Sequence, residues 1–336
     1  MFKISETAGT LVISAVLFLS APAAAESLQT QDSGEAAPAA GSEPQCLDSF
    51  HALQKNFAAS NLEFTAMSGD ARTIVPLTYI HARKDGRSYS LWKTLNGEVS
   101  GYALRDGKGF DFNRDRSYTG PLTWHTTQIF DRFFSEGTKL RSYNCLIAGR
   151  SRISGYKAAL LRFVPEDGLR YGYVLAYDED EMLPVELMMT APSGMVVSRI
   201  SATSIKKSST PSFPVDDETF DLHEGRAAQQ QKLPDSPLDP WDFLVIPPDF
   251  VMTDSGVLKF KDGEVSPYQV FSDGLTDFRI YINSKSSLYL PAVNTGSLTV
   301  FRKADQNREY AVTGEIPLAL AEEILSKVKG DSEQRP

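Results

Sequence analysis

Residues Gly149–Ile205 read GRSRISGYKAALLRFVPEDGLRYGYVLAYDEDEMLPVELMMTAPSGMVVSRISATSI. Short runs of β-branched and aromatic residues alternate here with turn signals such as Asp167-Gly168 and Pro192-Ser193-Gly194. This rhythm is typical of an antiparallel meander joined by tight turns. The strands that it predicts are Lys157–Val164, Arg170–Tyr177, Leu183–Thr190 and Met195–Ser204.

The second of these strands is apolar on both faces. Side chains alternate across a strand, so its aromatic residues share one face and small residues occupy the other. The aromatic face consists of Tyr171, Tyr173, Leu175 and Tyr177, and the small face of Gly172, Val174 and Ala176. A sheet with two apolar faces needs a core, a helix, a partner or lipid on each side. The alternative is that this sheet is an ordinary wall of a sandwich or barrel, with both faces buried in protein and no ligand bound.

The chain opens with the features of a secretory signal peptide. Lys3 precedes an apolar run, Leu11–Ser20, and the small residues Ala23–Ala25 follow. The run is too short for a transmembrane helix, so we expect cleavage near Ala25 and export. Residues 26–45 are rich in Ala, Ser, Gly, Pro, Glu and Gln, which predicts a disordered tail.

Two folded domains are predicted between this tail and a short C-terminal tail at residues 331–336. The first domain, residues 46–205, begins with a helix at Cys46–Ser60 whose apolar residues recur at helical spacing. It continues as roughly nine to eleven antiparallel strands, the last of them before the meander at Lys139–Ala148, with a helical insertion around Ile129–Phe134.

A Pro-, Ser- and acid-rich stretch, residues 206–240, predicts a linker, because a structureless run of this length is uncommon inside one domain. Residues 241–330 predict a small α+β domain that shares a modest interface with the first. This domain ends in a helix over Pro317–Lys329, with the proline in its first turn.

Charge and cysteine content narrow the functional classes. The net charge of −9, with no offsetting cluster of Lys and Arg, argues against nucleic-acid binding. An exported chain with two cysteines predicts a disulfide between Cys46 and Cys145, which would tie the first helix to the sheet. Two buried free thiols are the alternative.

The sequence contains no recognisable catalytic or metal-binding motif. None of its four histidines pairs with another at the spacing of a zinc helix. A nucleophile elbow, a P-loop and a dinucleotide fingerprint are also missing. The acidic run Asp178–Glu181 is interpreted as a solvated turn, with weak calcium binding as the alternative. We therefore expect a protein that is not an enzyme and that has no cofactor and no metal.

Seven short motifs distributed over both predicted domains carry a family resemblance. They are Tyr79–Arg87 (YIHARKDGR), Gly149–Ile153 (GRSRI), Gly168–Tyr173 (GLRYGY), Leu183–Val185 (LPV), Pro247–Phe250 (PPDF), Phe271–Leu275 (FSDGL) and Gly314–Pro317 (GEIP). In this order and at these spacings they resemble the RseB/MucB family, the periplasmic negative regulators of the sigma-E envelope-stress response. The resemblance runs from about Cys46 to Lys329.

The resemblance implies a fold and a periplasmic partner. It implies a large N-terminal domain like the lipoprotein carriers LolA and LolB, an unclosed antiparallel β-barrel over helices, and a small C-terminal α+β domain. It also implies binding of the periplasmic segment of an RseA/MucA-like anti-sigma factor, protection of that segment from proteolysis, and release by lipopolysaccharide or lipoprotein acyl chains. The long acidic linker and the cysteine pair depart from the family.

A periplasmic lipid or lipoprotein carrier without a signalling role is the alternative function. Such carriers resemble only the first domain, so the second domain favours the regulator. Assembly into a homo-oligomer stays open.

Aromatic residues of the sheet and of the helical insertion form the candidate surface for an amphiphile or for the anti-sigma segment. They are Phe64, Tyr79, Phe130, Phe133, Phe134, Tyr171, Tyr173 and Tyr177. We expect one face of the sheet to pack on the first helix and the other candidate surface to receive acyl chains, whose burial stabilises by about 0.8 kcal/mol per methylene. The alternative is that all of these aromatics are core.

Overall fold

The computed structural model describes residues 43–70, 73–97, 101–105, 108–111, 116–119, 128–135, 138, 140–210, 241, 244–259, 265–284, 292–305 and 307–328. These ranges all fall within one compact unit, Ala40–Pro336. The predicted signal peptide, the terminal tail and the linker beyond residue 210 lie outside the described residues, as does most of the tail predicted over residues 26–45.

The predicted meander is part of a larger antiparallel sheet that carries two helices. The elements are α1 (Glu43–Ala59), β1 (Asn61–Gly69), β2 (Ile74–Lys84), β3 (Arg87–Thr94), β4 (Gly101–Arg105), β5 (Lys108–Asp111), β6 (Arg116–Thr119), α2 (Gln128–Phe133), β7 (Tyr143–Ile153), β8 (Tyr156–Pro165), β9 (Gly172–Asp178), β10 (Leu183–Thr190) and β11 (Val196–Ser208). Within the described chain this sheet has eleven strands, in the order β6-β5-β4-β3-β2-β1-β11-β10-β9-β8-β7.

The sheet consists of two sequential meanders joined where β1 pairs with β11. Because β6 and β7 stand at opposite ends of the strand order, the sheet is unclosed. Two-residue turns set the register of its hairpins. Asp85-Gly86 joins β2 to β3 and Ser154-Gly155 joins β7 to β8, and all four residues have positive φ, as this kind of hairpin turn requires.

One face of the sheet packs against both helices. The apolar side chains of α1 that recur at helical spacing, among them Phe50, Leu53 and Phe57, are buried in a single core with the sheet and α2. Cys46 and Cys145 form the predicted disulfide, with their Cα atoms 5.6 Å apart, within the range that the bond requires. The disulfide ties α1 to β7.

The second sheet is smaller and also antiparallel. Its elements are β12 (Val251–Lys259), β13 (Val265–Ser272), β14 (Asp277–Ser284), β15 (Val293–Thr295), β16 (Leu298–Ala304), β17 (Arg308–Gly314) and α3 (Leu318–Ile324). The described strands follow the order β12-β13-β14-β17-β16-β15. Leu320, Ile324 and Leu325 join a core with β14 and β17.

The final helix differs from its prediction in length. It begins at Leu318, and Pro317 caps it from an extended conformation instead of lying in its first turn. Residues 325–328 continue as turns, so the apolar stripe predicted through Lys329 is helical only to Ile324.

Candidate functional site

The eight aromatic residues predicted as a binding surface are buried. All of them belong to the core that also contains α1 and α2, and Tyr177, the most exposed, is only 9% exposed. α1 and the aromatic residues occupy the same face, where the sequence led us to expect one face for α1 and a separate surface for acyl chains. Phe57 of α1, for example, stacks on Tyr79 and lies 4.8 Å from Phe134 between ring centroids. Amphiphile binding by these residues stays a prediction.

A small cavity remains inside this aromatic core. Its lining residues are Phe64, Ala66, Tyr79, Trp92, Phe130, Val185, Ile200 and Ala202. Its volume of about 10 Å³ is no more than one water molecule needs. An acyl chain can enter here only if a lining side chain moves, and Phe130 is the lining residue that belongs to α2.

Asp131 holds α2 to the sheet from inside the aromatic core. Its carboxylate accepts hydrogen bonds from Trp92 Nε1 (2.7 Å), Tyr79 Oη (2.8 Å) and Tyr102 Oη (3.0 Å). Burial raises the pKa of Asp131, and the hydrogen bonds from Trp92 and Tyr79 oppose that rise. No motif in the sequence singled out this carboxylate, although an acid within an aromatic insertion is a signal that could have identified it.

Arg132, the next residue, contacts the second domain. Its Nη1 donates to the carbonyl oxygen of Leu275 at 3.0 Å, and its Nη2 lies 2.7 Å from Asp277 Oδ2. Since the Asp277 side chain is 2% exposed, this ion pair is largely withdrawn from water. Adjacent residues of α2 are thus anchored in different domains.

Residues Asp273–Asp277, which connect β13 to β14 and include the first residue of β14, form what we call the junction loop. Leu275, at its centre, is buried in the core of the first domain. Asp273 Oδ1 holds the loop in shape by accepting hydrogen bonds from the backbone N–H groups of Leu275 and Thr276. The second domain therefore inserts an apolar side chain into the first, with an acidic residue at each end of the loop.

Arg170 packs against the other end of the junction loop. It is 1% exposed, and its guanidinium carbon lies 4.5 Å from the centroid of the Phe250 ring. Its Nη1 is 3.6 Å from Asp273 Oδ2, and its Nη2 donates to the carbonyl oxygen of Pro248. Nε lies 3.1 Å from Asp167 Oδ2. Nε and Nη1 make these ion pairs without a well-aligned hydrogen bond, so charge attraction and packing dominate the contact.

Two of the predicted aromatic residues also reach the junction. The Tyr171 hydroxyl lies 3.0 Å from the carbonyl oxygen of Ser297 and 3.2 Å from that of Ile316. Tyr173 Oη is 3.2 Å from Thr276 Oγ1. Burial raises the pKa of both phenols, that of Tyr171 to about 12, so both stay neutral. Tyr173 of β9 and Tyr171, which directly precedes that strand, therefore contact the second domain.

The junction brings together four of the motifs that carried the resemblance. They are Gly168–Tyr173, Pro247–Phe250, Phe271–Leu275 and Gly314–Pro317. Leu169 packs in return against the core of the second domain. The junction is buried and charged, and the modest size expected for this interface stays a prediction.

His81, in β2, is the buried histidine of the first motif. It is 6% exposed, its Nδ1 lies 2.9 Å from the carbonyl oxygen of Ser60, and its ring stands 4.6 Å from that of Phe57. Burial lowers the pKa of His81 to about 4, with a smaller contribution from Arg83. The neutral imidazole is a structural element of the core.

We predict that His81 makes the fold sensitive to acid. The unfolded chain has the higher histidine pKa, near 6.5, so it binds more protons than the folded chain between pH 6.5 and about 4. Stability is therefore lost as pH falls through this window, by up to roughly 3 kcal/mol. Urea titrations of the wild type and of His81→Asn over this range measure the effect. A free-energy difference between them that is independent of pH would contradict it.

Neither a metal cluster nor a spanning helix is found in the described chain. No group of three or more His, Cys, Asp or Glu side chains there could hold a metal ion. The helices among residues 43–328 that the structure describes are too short or too polar to cross a membrane.

Comparisons with known proteins confirm the resemblance over both domains. The family model described as the MucB/RseB N-terminal domain matches residues 47–236, and that of the MucB/RseB C-terminal domain matches residues 235–329. The sigma-E factor regulatory protein RseB of Salmonella typhimurium is 24% identical over 299 residues, covering 82% of this chain and 88% of that protein. The sigma factor AlgU regulatory protein MucB of Pseudomonas aeruginosa is 25% identical over 200 residues, covering 56% and 61%.

Solved structures show the same fold. A structure of the MucA/MucB complex of Pseudomonas aeruginosa superposes with a TM-score of 0.63 at 20% identity, covering 84% of this chain and 97% of that one. A crystal structure of MucB in complex with MucA(peri) gives a TM-score of 0.60 at 19% identity, with the same coverage.

Proposed function

Because the chain belongs to the MucB/RseB family, we propose that it is a periplasmic regulator of an envelope-stress sigma factor. It binds the periplasmic segment of a membrane anti-sigma factor of the RseA/MucA type and protects that segment from regulated proteolysis. Lipid or lipoprotein signals then release the segment.

The presence of both domains is the observation that carries this proposal. The two family models follow each other along the chain, and the sigma-E factor regulatory protein RseB of Salmonella typhimurium aligns with 82% of it. A carrier would need the first domain alone. The buried junction supports a function that uses both domains, since Arg132 and Arg170 bind the second domain from the first.

We further propose that the first sheet is a carrier-like barrel of the LolA/LolB kind that accepts acyl chains at the cavity beside Phe130. The division into domains at residues 46–205 and 241–330, with a linker between them, belongs to the same proposal. Each methylene buried in an apolar site stabilises by about 0.8 kcal/mol, so one chain supplies several kcal/mol to displace Phe130. Binding of the anti-sigma segment by the eight buried aromatics would require the same displacement.

A variant that fills the cavity tests the acyl-chain site. Ala202 lines the cavity and is 3% exposed. We predict that Ala202→Val weakens binding of a fluorescent N-lauroyl peptide about tenfold, because the added methyl groups take the volume of roughly two methylenes of the chain. Fluorescence anisotropy measures the dissociation constant, with the unacylated peptide as the ligand control.

Ala176→Val is the matched control variant. Ala176, in β9, is 1% exposed and lies on the face opposite Leu175 and Tyr177. Both variants overpack a buried site, at a cost of about 1–3 kcal/mol, but only Ala202→Val fills the cavity. Equal lauroyl-peptide affinity in the two variants would contradict the assignment of the site.

A further inference from the structure

The pair Asp131–Arg132 connects two places that the proposed function treats separately. Asp131 is hydrogen-bonded to β2, β3 and β4 around the cavity, while Arg132 is bound to the junction loop. We propose that Arg132 couples amphiphile binding in the first domain to the arrangement of the second domain. This inference rests on the proposed function.

The coupling follows from where α2 can move. Phe130 contacts the rings of Tyr79, Trp92 and Phe64 at centroid distances of 5.3–5.9 Å, so a chain entering the cavity displaces it. The helix is only six residues long, and Phe130 and Arg132 lie within one turn of each other. A displacement of Phe130 therefore moves Arg132.

The ion pair with Asp277 responds sharply to such a movement. The Asp277 side chain is 2% exposed and that of Arg132 is 18% exposed, so water is poorly placed to replace the contact. A buried carboxylate that loses its cation is strongly destabilised. The favourable response is for the junction loop to leave the first domain, taking Leu275 and Asp277 into water. A bound amphiphile and a junction loop that contacts the first domain thus exclude each other.

The other basic residue of the junction has a different role. Arg170 lies on the β8–β9 connection and pairs with Asp273, at the opposite end of the junction loop from the Asp277 that Arg132 binds. Arg170 stabilises the closed arrangement, in which the junction loop contacts the first domain. It is not on α2, so a displacement of Phe130 does not carry it along. Arg132 is the charged residue that belongs to the same helix as a cavity-lining side chain and also binds the junction loop.

The expected coupling is symmetric. If the lauroyl peptide weakens anti-sigma binding by a given factor, the anti-sigma segment weakens lauroyl-peptide binding by the same factor. We expect a factor of about ten, within the usual range for coupled sites. Replacing Arg132 with methionine, a good helix former, removes the guanidinium and should reduce this factor to about one.

Spin labels report the domain arrangement directly. Lys157 in β8 and Lys327 after α3 are exposed positions in the two domains, suited to Lys157→Cys and Lys327→Cys labelling. In the wild-type background, saturating N-lauroyl peptide should change the distance distribution between the labels. In Arg132→Met the distribution should already be changed without peptide, and peptide should add nothing. Because the closed junction no longer competes with the lauroyl peptide, the affinity of Arg132→Met for the peptide should rise above that of the wild type.

Two further variants make the outcome decisive. Asp277→Asn removes the same ion pair by changing the other partner, so it should behave like Arg132→Met. If one of the two variants fails to fold, the other still tests the coupling. Arg150→Met removes an arginine whose side chain is 80% exposed, and it should behave like the wild type. A lauroyl-induced distance change that persists in Arg132→Met and Asp277→Asn, or that is absent from the wild type, would overturn the coupling role. If the distances behave as expected but no anti-sigma segment binds, the proposed function fails and the coupling stands.

Discussion

Replacing Arg170 with methionine is expected to lower the free energy of unfolding by roughly 3–5 kcal/mol, because it leaves a buried carboxylate without its cation. The Asp273 side chain is 3% exposed, and burial already raises its pKa despite Arg170 and two backbone hydrogen bonds. The stacking of the guanidinium on Phe250 is lost as well. Urea unfolding followed by circular dichroism measures the change.

A second substitution separates charge from packing at this site. Asp273→Asn keeps the oxygen that accepts from the loop backbone but removes the charge, so the double variant should recover part of the stability lost in Arg170→Met. The exposed Arg150, changed to methionine, should leave unfolding unaltered. A loss below about 1 kcal/mol in Arg170→Met would contradict the account of the junction as a buried ion pair.

Removing the disulfide is expected to lower stability by about 4–5 kcal/mol in the chain-entropy model. Cys46 and Cys145 are 99 residues apart, so the bond closes a long loop and strongly restricts the unfolded chain. The double variant Cys46→Ala/Cys145→Ala should also give a steeper dependence on urea, since its unfolded state exposes more surface.

The reduced wild type is the control for packing at the disulfide. Both cysteines are 0% exposed, and the reduced protein keeps both sulfur atoms in the core. A similar loss of stability in the reduced wild type and the double alanine variant would assign the effect to the cross-link. Equal stability of oxidised and reduced wild type would contradict it.

Local sequence patterns predicted most of the strands. β10 spans Leu183–Thr190, the predicted range, because an acidic turn and a Pro-Ser-Gly turn bracket one apolar run. The strand predicted over Lys139–Ala148 instead runs from Tyr143 to Ile153, since the turn that ends it is Ser154-Gly155 and a β-bulge at Ala148 lets the pairing continue from Gly149. β15, three residues long, had no pattern that could be recognised.

The junction could not be predicted in the same way. Arg132 and Leu275 are 143 residues apart in sequence, and nothing local to either residue indicates its partner. The motifs around Arg170 and Asp273 were recognised by resemblance, which carried no information about their contact. Asp131 was missed because its hydrogen-bond donors lie on three strands that precede it in the chain. Long-range complementarity of this kind appears only when the sheet has folded.

Binding of an anti-sigma segment tests the central claim most directly. The mature protein, beginning after the predicted cleavage near Ala25, is titrated into the labelled periplasmic segment of the host's RseA/MucA-type anti-sigma factor, with and without saturating N-lauroyl peptide. We predict saturable binding of the segment, weakened about tenfold by the lauroyl peptide. A folded protein that binds the lauroyl peptide but shows no saturable binding of the segment would contradict the regulator and favour a lipid carrier.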